Sequence, residues 1–532
     1  MALINVQSSE FPLIRKNQAI YVDKTADFYR LVQGNQSCAS LFFLARPRRF
    51  GKSLMISTFK AIFEGKRELF EGLAIAKTDY DWQPYPVIHL DMSLALGGSL
   101  EQFQEGLRRA MRVALQECNA EGFAFDEALS ATDNLNHALR VERPVVLLID
   151  EYDAPICHTL NYPELCERIR GELADFYAVL KGRQAAIRFA MITGISKFAS
   201  LSIFSGLNNL IDLTTDPDYA TMLGYTEQEL TENFGEHIAR RAAEMGLSLD
   251  DFRAGLAKWF NGYRFARKAP ATVYNPVSIA RTLTSREDRF EAQWATTGRP
   301  SLLANFLRRD ELLALDFEKP IVATTHELFM AARLDALAPI PVLYQTGYLT
   351  IKSYDPDFDS FELGIPDEEV RRDLMAFTYE LMVPNPMTRS RSLADLGYAR
   401  LEDFLKRDLP DLYAKCYYGP TEGQVQEYNY QRMLQVFFLS RGFEPITEAT
   451  QSSGKRADLV VKVPGLIYLF EFKADGSTAE EALAQIKEKN YAAPYLHDGR
   501  PIVLIGLAFQ KKSRELQGIA YALLNDSSAV HA

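Results

Sequence analysis

Four short apolar runs separated by stretches of helical character constrain the first part of this chain more than any other feature. They are LFFLA (41–45), VIHLDMS (87–93), VVLLID (145–150) and IRFAMIT (187–193). Runs of this kind read as strands buried on both faces, which belong to parallel sheets. The segments between them, such as PELCERIRGELADFYAVLKG from Pro163, carry apolar residues at helical spacing and supply the covering helices. NLIDLT (209–214) offers a fifth strand.

From about Tyr219 the strand signals thin out, and YTEQELTENFGEHIARRAAEM and SIARTLTSREDRF read as the amphipathic helices of a lid. From Pro341, PVLYQTGYLTIKSYDPDFDSFELGIP places two alternating segments around an Asp- and Pro-rich turn, a hairpin pattern that suits a small winged-helix module. Beyond Pro420 the order is helix (QVQEYNYQRMLQVFFLSRG), strand (RADLVVKV), turn (PG), strand (LIYLFEFK), helix (STAEEALAQIKEKNYAA) and strand (PIVLIGLAF), a compact α/β domain. A chain of 532 residues is too long for one ordinary core. The expected division is 1–215 for the sheet, 216–339 for the helical lid, 340–419 for a winged-helix-like module and helical linker, and 420–532 for the terminal domain.

The formal net charge of −11 argues against a whole-protein electrostatic grip on nucleic acid, although a local basic groove is compatible with that average. Cys38, Cys118, Cys157, Cys166 and Cys416 lie far apart with no Cys-x-x-Cys pair, which fits reduced thiols and offers no zinc-binding set. The histidines form no metal-spaced pair either. MALINVQSSEFPLIRK lacks the apolar core of a signal peptide, and no uncharged apolar run is long enough to span a bilayer. A cytoplasmic protein with no membrane partner is expected.

RPRRFGKSL (46–54) follows one strand and opens the helical LMISTFKAIFEG, the context a phosphate loop needs. Backbone from Arg48, Arg49 and Phe50 through Gly51, Lys52, Ser53 and Leu54, with the helix N-terminus, can face phosphates. Lys52 can reach the outer phosphates and Ser53 can ligate Mg²⁺. Arg46 and Pro47 stand where small residues usually let the backbone curl, so the loop alone is ambiguous. VVLLIDEYD supplies a second half: Asp150 can hold the water shell of Mg²⁺ and Glu151 can activate the attacking water. Carboxylates at a strand end are also common for structural reasons. The order of the two motifs, loop first and acidic strand later with one strand between, is that of an ATPase whose acidic strand is not adjacent to its loop strand. ITGISKF then ends a further strand with Thr193 and Ser196, suited to sensing a terminal phosphate.

With FPLIRKNQAIYVDKT, LARPRRFGKSLMISTF, LLIDEYDAPI, ITGISKFA, WFNGYRF, YNPVSI, WATTGRPSLL and LYQTGYLTI, the chain resembles the AAA-ATPase-like family of bacterial proteins over nearly its whole length. The resemblance implies an α/β P-loop ATPase core of the ASCE type, with ATP and Mg²⁺ as cofactors, and a nuclease-like domain at the end. In that family Arg-Pro-Arg-Arg-Phe-Gly-Lys-Ser is the usual loop, so Arg46 is a family feature. Arg48 and Arg49 are left between phosphate, acidic neighbours and solvent. Tyr21, Asp23 and Lys24 in YVDKT precede the loop strand, either as adenine-side contacts or as ordinary surface packing. Arg264 and Arg299 are candidate stabilisers of transition-state charge.

In the tail, Asp458 in RADLVVKV and Glu471 in IYLFEFKAD lie on two strands that a hairpin would set side by side, and alternation puts Glu471 and Lys473 on one face. Two carboxylates can bind Mg²⁺ or Mn²⁺ to polarise a scissile phosphate, while Lys473 orients the nucleophile or offsets developing charge. A surface salt-bridge ladder gives the same pattern. The apolar flanks of Glu471 weigh against it, because a carboxylate buried there needs a partner or a metal. The motif resembles the core of the PD-(D/E)xK nuclease superfamily, a small restriction-endonuclease-like α/β domain. That resemblance implies roles for Glu427 from the upstream helix and for Gln485 and Tyr491 from the following one. From Thr421 to Ala532 there are 12 basic and 13 acidic side chains, so the domain shows no strong electrostatic footprint.

The expected function is ATP binding and hydrolysis that controls a C-terminal metal-dependent nuclease acting on nucleic acid, DNA in the first place, in defence or in a mobile element. Self-assembly is compatible with it. The alternative is a nucleotide-switched scaffold whose tail binds nucleic acid or protein without cutting; a DNA-translocating motor would need helicase motifs the chain lacks.

Overall fold

The apolar runs pair into one all-parallel sheet of β1 (Ser40–Ala45), β2 (Val87–Asp91), β3 (Val145–Asp150), β4 (Ile187–Gly194) and β5 (Leu210–Asp212), in the order β2-β3-β4-β1-β5. The computed structural model describes residues 2–6, 8–33, 40–140, 143–197, 203–204, 207, 209–293, 312–313, 315–317, 319–329, 338–383, 396–416, 427–447, 457–474, 476–510 and 515–524. They fall into two units, one of residues 1–307 with 316–370 and one of 308–315 with 371–532.

In the first unit, every residue of β3 is buried, as a strand between two neighbours and two helical layers must be. The helix Leu100–Gln116 starts where the Ser99 hydroxyl accepts the Gln102 N–H, and it turns Phe103, Leu107 and Met111 to the sheet at intervals of four. From the helix Pro163–Gly182, Leu173, Phe176 and Leu180 enter the same core. Register pairs Ala45 with Gly194 and Ile149 with Ile192. The C-terminal ends of β1, β4 and β3 therefore lie side by side, with β4 between the loop strand and the acidic strand.

The helices Glu227–Glu244, Leu249–Phe260 and Pro276–Thr284 form a second core around Leu230, Phe234, Phe252, Phe260 and Ile279, joined by Val22. Thr226 and Glu229 close a capping box on the first of them. A short ribbon of β6 (Asn261–Tyr263) and β7 (Val273–Tyr274) lies among these helices, too brief to leave an alternation in the sequence. The hairpin forms as β9 (Thr350–Asp355) and β10 (Ser360–Gly364), but β8 (Ile321–Thr324) completes a sheet of order β8-β10-β9. That strand comes from the segment read as lid; four residues with two exposed side chains give little signal.

The second unit holds a mixed sheet of β11 (Ile446–Thr447), β12 (Leu459–Val463), β13 (Leu466–Lys473), β14 (Ile502–Phe509) and β15 (Leu516–Leu524), in chain order. β12 and β13 are antiparallel, β13 and β14 parallel, and β14 and β15 antiparallel. The helices Glu427–Leu439 and Ala479–Glu488 stand where the sequence places them. β11 and β15 were not expected: the first has two residues, and the second is an edge strand with no buried residue. Among the described residues, no helix is long and apolar enough to cross a membrane.

Candidate nucleotide and nuclease sites

Beyond β1 the chain turns through Pro47, Arg48, Arg49 and Phe50 to Gly51, whose φ of +91° starts the helix Lys52–Phe63. That left-handed conformation suits glycine and strains other residues by roughly 1–2 kcal/mol. The first turn of the helix leaves its N–H groups without partners in the helix, as a phosphate site requires. Lys52 is buried, and its Nζ donates to the carbonyls of Arg46 (2.9 Å) and Pro47 (3.0 Å). Burial pushes the Lys52 ammonium pKa down, while Asp150, Glu151 and Asp153 oppose the shift.

Asp150, at the end of β3, gathers the end of β4 and the first turn of the loop helix. Its Oδ2 accepts the Ser53 hydroxyl (2.6 Å), and its Oδ1 accepts the Thr193 hydroxyl (2.5 Å) and the Glu151 N–H (3.0 Å). A divalent cation fits beside this pair, since Mg²⁺ is commonly held by one carboxylate and a hydroxyl with waters and phosphate oxygens completing its shell. Glu151 is half-buried at φ +52°, and burial first, then the neighbouring Asp150, raises its carboxyl pKa against the pull of Lys52. Arg48, Lys52, Ser53, Leu54 and Glu151 line a cavity of about 360 Å³, which Arg49 and Gly51 also border. Arg48 is exposed at this surface, whereas Arg49 also donates to the Gln293 carbonyl (3.1 Å).

A smaller cavity of about 80 Å³ also borders on Gly51 and Leu54, with walls that include Tyr21, Val22, Phe50, Met222 and Ala280. Lys24 reaches it too, but its ammonium is taken by Glu229 (2.6 Å) and the Thr221 carbonyl (2.7 Å). Asp23 does not line it: its carboxylate accepts from Thr25 and from the Ala74 N–H (2.7 Å), an ordinary structural role. Arg264 lines neither cavity, and its backbone N–H (2.7 Å) and carbonyl (3.2 Å) both engage the Thr350 hydroxyl. Arg299 lies outside the described residues, as does all of WATTGRPSLL.

Ser196 departs from its expected use as a phosphate sensor. Its hydroxyl and N–H both donate to Asp153 Oδ2 (2.9 Å each), and it is buried. Asp153 is a residue the sequence reading passed over; it holds the end of β4 against β3. The same is true of Asn275, which reaches the Arg48 carbonyl (3.5 Å), and of Gln345, which accepts the Lys197 N–H (2.6 Å). Their signal was their presence inside LLIDEYDAPI, YNPVSI and LYQTGYLTI. Gly194 makes this packing feasible, because a Cβ there would lie 2.4 Å from the Tyr152 ring and 2.6 Å from the Asp153 carboxylate. Gly194→Ala is expected to lower stability by about 1–3 kcal/mol, read as a drop in thermal midpoint; an unchanged midpoint would show that Tyr152 moves freely.

In the second unit, the antiparallel pairing runs out to Leu459 and Phe470, and Asp458 and Glu471 are the next residues beyond that pair. Asp458 Oδ2 accepts the Phe472 N–H (2.8 Å), and the Asp458 carbonyl accepts Gln431 Nε2 (2.5 Å). Glu471 is 2% exposed. Its Oε1 accepts from Lys473 Nζ (3.1 Å) and from Gln485, which also donates to the Tyr491 hydroxyl (3.3 Å). Its Oε2 is buried with no hydrogen-bond partner. Burial, then the charge of Asp458, raises the Glu471 pKa to about 7. For Lys473, burial pulls the pKa down but the attraction of Glu471 prevails and raises it. Glu427 accepts the Ala474 N–H (3.0 Å) and so borders the same strand end.

Among the described residues, no set of three or more His, Cys, Asp or Glu is grouped to hold a metal. A single Mg²⁺ or Mn²⁺ on Asp458 and Glu471 fits nonetheless, because such ions are commonly bound by one or two carboxylates with water and substrate phosphate. The unpartnered Glu471 oxygen is the free ligand this requires, since buried polar atoms are seldom left alone.

Residues 5–204 match the family model described as Predicted AAA-ATPase, and residues 425–518 match that of the PD-(D/E)XK nuclease superfamily. The chain is also 32% identical over 517 residues to an uncharacterized protein in the vnfD 5'region of Azotobacter chroococcum mcd 1, with 94% of each chain covered. Domains of these two kinds are of ATPase and nuclease type and generally work with a nucleotide and a divalent metal. A parallel sheet whose loop lysine, acidic strand and polar strand end converge, joined to a hairpin that carries Asp458, Glu471 and Lys473, agrees with both matches, and the chain belongs to the AAA-ATPase-like family with a C-terminal PD-(D/E)XK nuclease-superfamily domain.

Proposed function

We propose that this protein binds and hydrolyses ATP at the end of its parallel sheet and that the nucleotide state controls a Mg²⁺- or Mn²⁺-dependent cleavage of DNA by its terminal domain. In this reading the backbone from Arg48 to Leu54 and Lys52 hold the phosphates, Ser53 and Asp150 hold magnesium, Thr193 orients Asp150, and Glu151 takes the proton of the attacking water. The nucleobase occupies the apolar cavity beside Tyr21 and Val22. Residues 1–215 form the ATPase core, 216–339 the lid, 340–419 the module that links it to the nuclease-like domain of 420–532. At the terminal site Asp458 and Glu471 hold the metal, Lys473 offsets charge on the cleaved phosphate, and Gln485 and Glu427 fix the ligands and the strand end. The metals supply charge neutralisation at phosphate oxygens. The setting is the bacterial cytoplasm, with self-assembly compatible with it.

The observation that carries the proposal is that Lys52, Ser53 and Glu151 line one cavity while Asp150 accepts the Ser53 hydroxyl beside it. The test is incubation of the full chain with linear, nicked and single-stranded DNA and with RNA, with and without ATP and Mg²⁺, beside Lys52→Ala and Asp458→Ala. Metal-dependent DNA cleavage should vanish in Asp458→Ala and lose its response to ATP in Lys52→Ala. Nucleotide-dependent binding with no cleavage under any condition would sink the nuclease half and leave a scaffold. Val22→Phe, which narrows the small cavity at a residue that does not line the larger one, should weaken ATP binding about tenfold, equivalent to about 1.4 kcal/mol, and leave inorganic tripolyphosphate unaffected; equal effects on both would move the base elsewhere.

A further inference from the structure

Arg46 stands at the position where a phosphate loop ordinarily has its first glycine, and its side chain is 1% exposed. The guanidinium meets no carboxylate within ion-pair distance among the described residues. Its Nη1 donates to the carbonyls of Ala45 (3.0 Å) and Thr214 (2.7 Å), its Nη2 donates to that of Tyr219 (3.2 Å), and its Cζ lies 4.3 Å from the centre of the Phe265 ring. Nε is buried with no partner. A cation buried on carbonyls and a ring is unfavourable in isolation, and burial pushes its pKa down to about 10 against the pull of Tyr344 and Asp212. An anion bound nearby would relieve that cost, because charges act strongly through a poorly solvated interior.

The surroundings tie this side chain to the loop on one side and to distant segments on the other. The Arg46 carbonyl holds Lys52 Nζ, and Phe50 packs edge-on against Tyr263 and Phe265 at 4.8 and 5.2 Å. Thr214 is bound twice, its carbonyl to Arg46 and its hydroxyl to the Ala45 N–H (3.0 Å). Beyond Phe265, Arg264 engages Thr350 at the start of β9.

Resting on the nucleotide reading of this loop, we propose that Arg46 is a positioning residue: it replaces a flexible glycine by a side-chain anchor that fixes the loop's curl to Thr214, Tyr219 and Phe265, and its buried charge strengthens the hold on a triphosphate it does not touch. The triphosphate gains this help in the ground state and the transition state alike. Its loss should therefore appear in KM rather than kcat.

The experiment compares wild type, Arg46→Met and Arg46→Lys in full-length protein. Mant-ATP binding and steady-state ATP hydrolysis are measured, together with hydrogen exchange of wild type at residues 213–219 with and without Mg-ATP. Arg46→Met should raise KM and Kd about tenfold with kcat within about threefold, and Arg46→Lys, which keeps the charge but not the fork, should recover part of the loss. Amides of 213–219 should exchange more slowly when nucleotide is bound. Met and Lys variants that behave alike would reduce Arg46 to a space filler and overturn the proposal. So would unchanged exchange at 213–219 in wild type with bound nucleotide, a result that holds even if the variants fail to fold. Wild type that binds no adenine nucleotide overturns the nucleotide reading itself, and this inference with it.

Discussion

Glu471→Gln should abolish metal-dependent cleavage and, with no metal present, make the protein more stable at neutral and alkaline pH. The two effects share one cause. Glu471 sits in a strand whose neighbours are buried, with one oxygen on Lys473 and Gln485 and the other on nothing. Its carboxyl, raised to about 7, binds a proton more tightly in the folded chain than in the unfolded one. The sign follows from linkage: stabilisation by this proton is complete below the ordinary glutamate pKa and is lost as pH rises through about 7. Gln copies the neutral acid, so the variant should gain on wild type as pH rises from 5 to 8, by on the order of 2 kcal/mol once solvent screening is allowed for. A divalent ion would reverse the balance by supplying the charge that the site lacks. Proton and metal compete, so Mn²⁺ affinity should fall about tenfold for each pH unit below 7. If the metal contributes about 4 kcal/mol to the transition state, its loss slows cleavage about a thousandfold. Thermal melts at pH 5, 7 and 8, Mn²⁺ titration and a plasmid-nicking assay read these effects. Nicking by Glu471→Gln at the wild-type rate, or Mn²⁺ affinity equal at pH 6 and 8, would remove Glu471 from the site.

The register of this hairpin could be counted from the sequence. Pro464 and Gly465 make a two-residue turn, so Val463 faces Leu466, and counting outward puts Asp458 opposite Glu471. The alternation that sets Glu471 and Lys473 on one face is equally local. β3 was legible because six apolar-to-acidic residues buried on both faces leave one place for Asp150, the C-terminal end of a strand in a parallel sheet. Contacts between remote segments were not legible. Arg46 is buried by Thr214, 168 residues further on, and by Tyr219 and Phe265; the loop motif shows the arginine but not the carbonyls that hold it. Ser196 had the chemistry of a phosphate sensor, and only the packing of β4 on β3 reveals that its hydroxyl belongs to Asp153. Short strands such as β8 and β11 escaped for a different reason. Two to four residues cannot establish a period of two, and such strands exist only because a longer neighbour offers its edge.

Glu151→Gln should leave ATP binding within a few-fold of wild type while slowing hydrolysis by roughly 10²–10⁴, the usual contribution of a positioned proton acceptor. The backbone places this side chain by force. Glu151 holds φ at +52°, an unfavourable conformation for a non-glycine residue. It is pinned there because its own N–H goes to Asp150 and the next N–H, of Tyr152, goes to the Thr193 carbonyl (2.9 Å). The carboxylate is thereby presented to the cavity that Lys52 and Ser53 line. Burial and the charge of Asp150 raise its pKa, which makes it the stronger base. Gln keeps the shape but cannot accept the proton. Lys52→Ala should act differently, weakening binding itself, because in the proposed mechanism Lys52 serves the phosphates and Glu151 the attacking water. The pair therefore separates the two nucleotide states in one DNA-cleavage assay with Mg-ATP. Glu151→Gln holds the chain in the ATP state and Lys52→Ala in the nucleotide-free one, so their cleavage rates should fall on opposite sides of wild type. Equal rates would break the link between nucleotide and nuclease while leaving each chemistry intact, and unaltered single-turnover hydrolysis in Glu151→Gln would mean that another group activates the water.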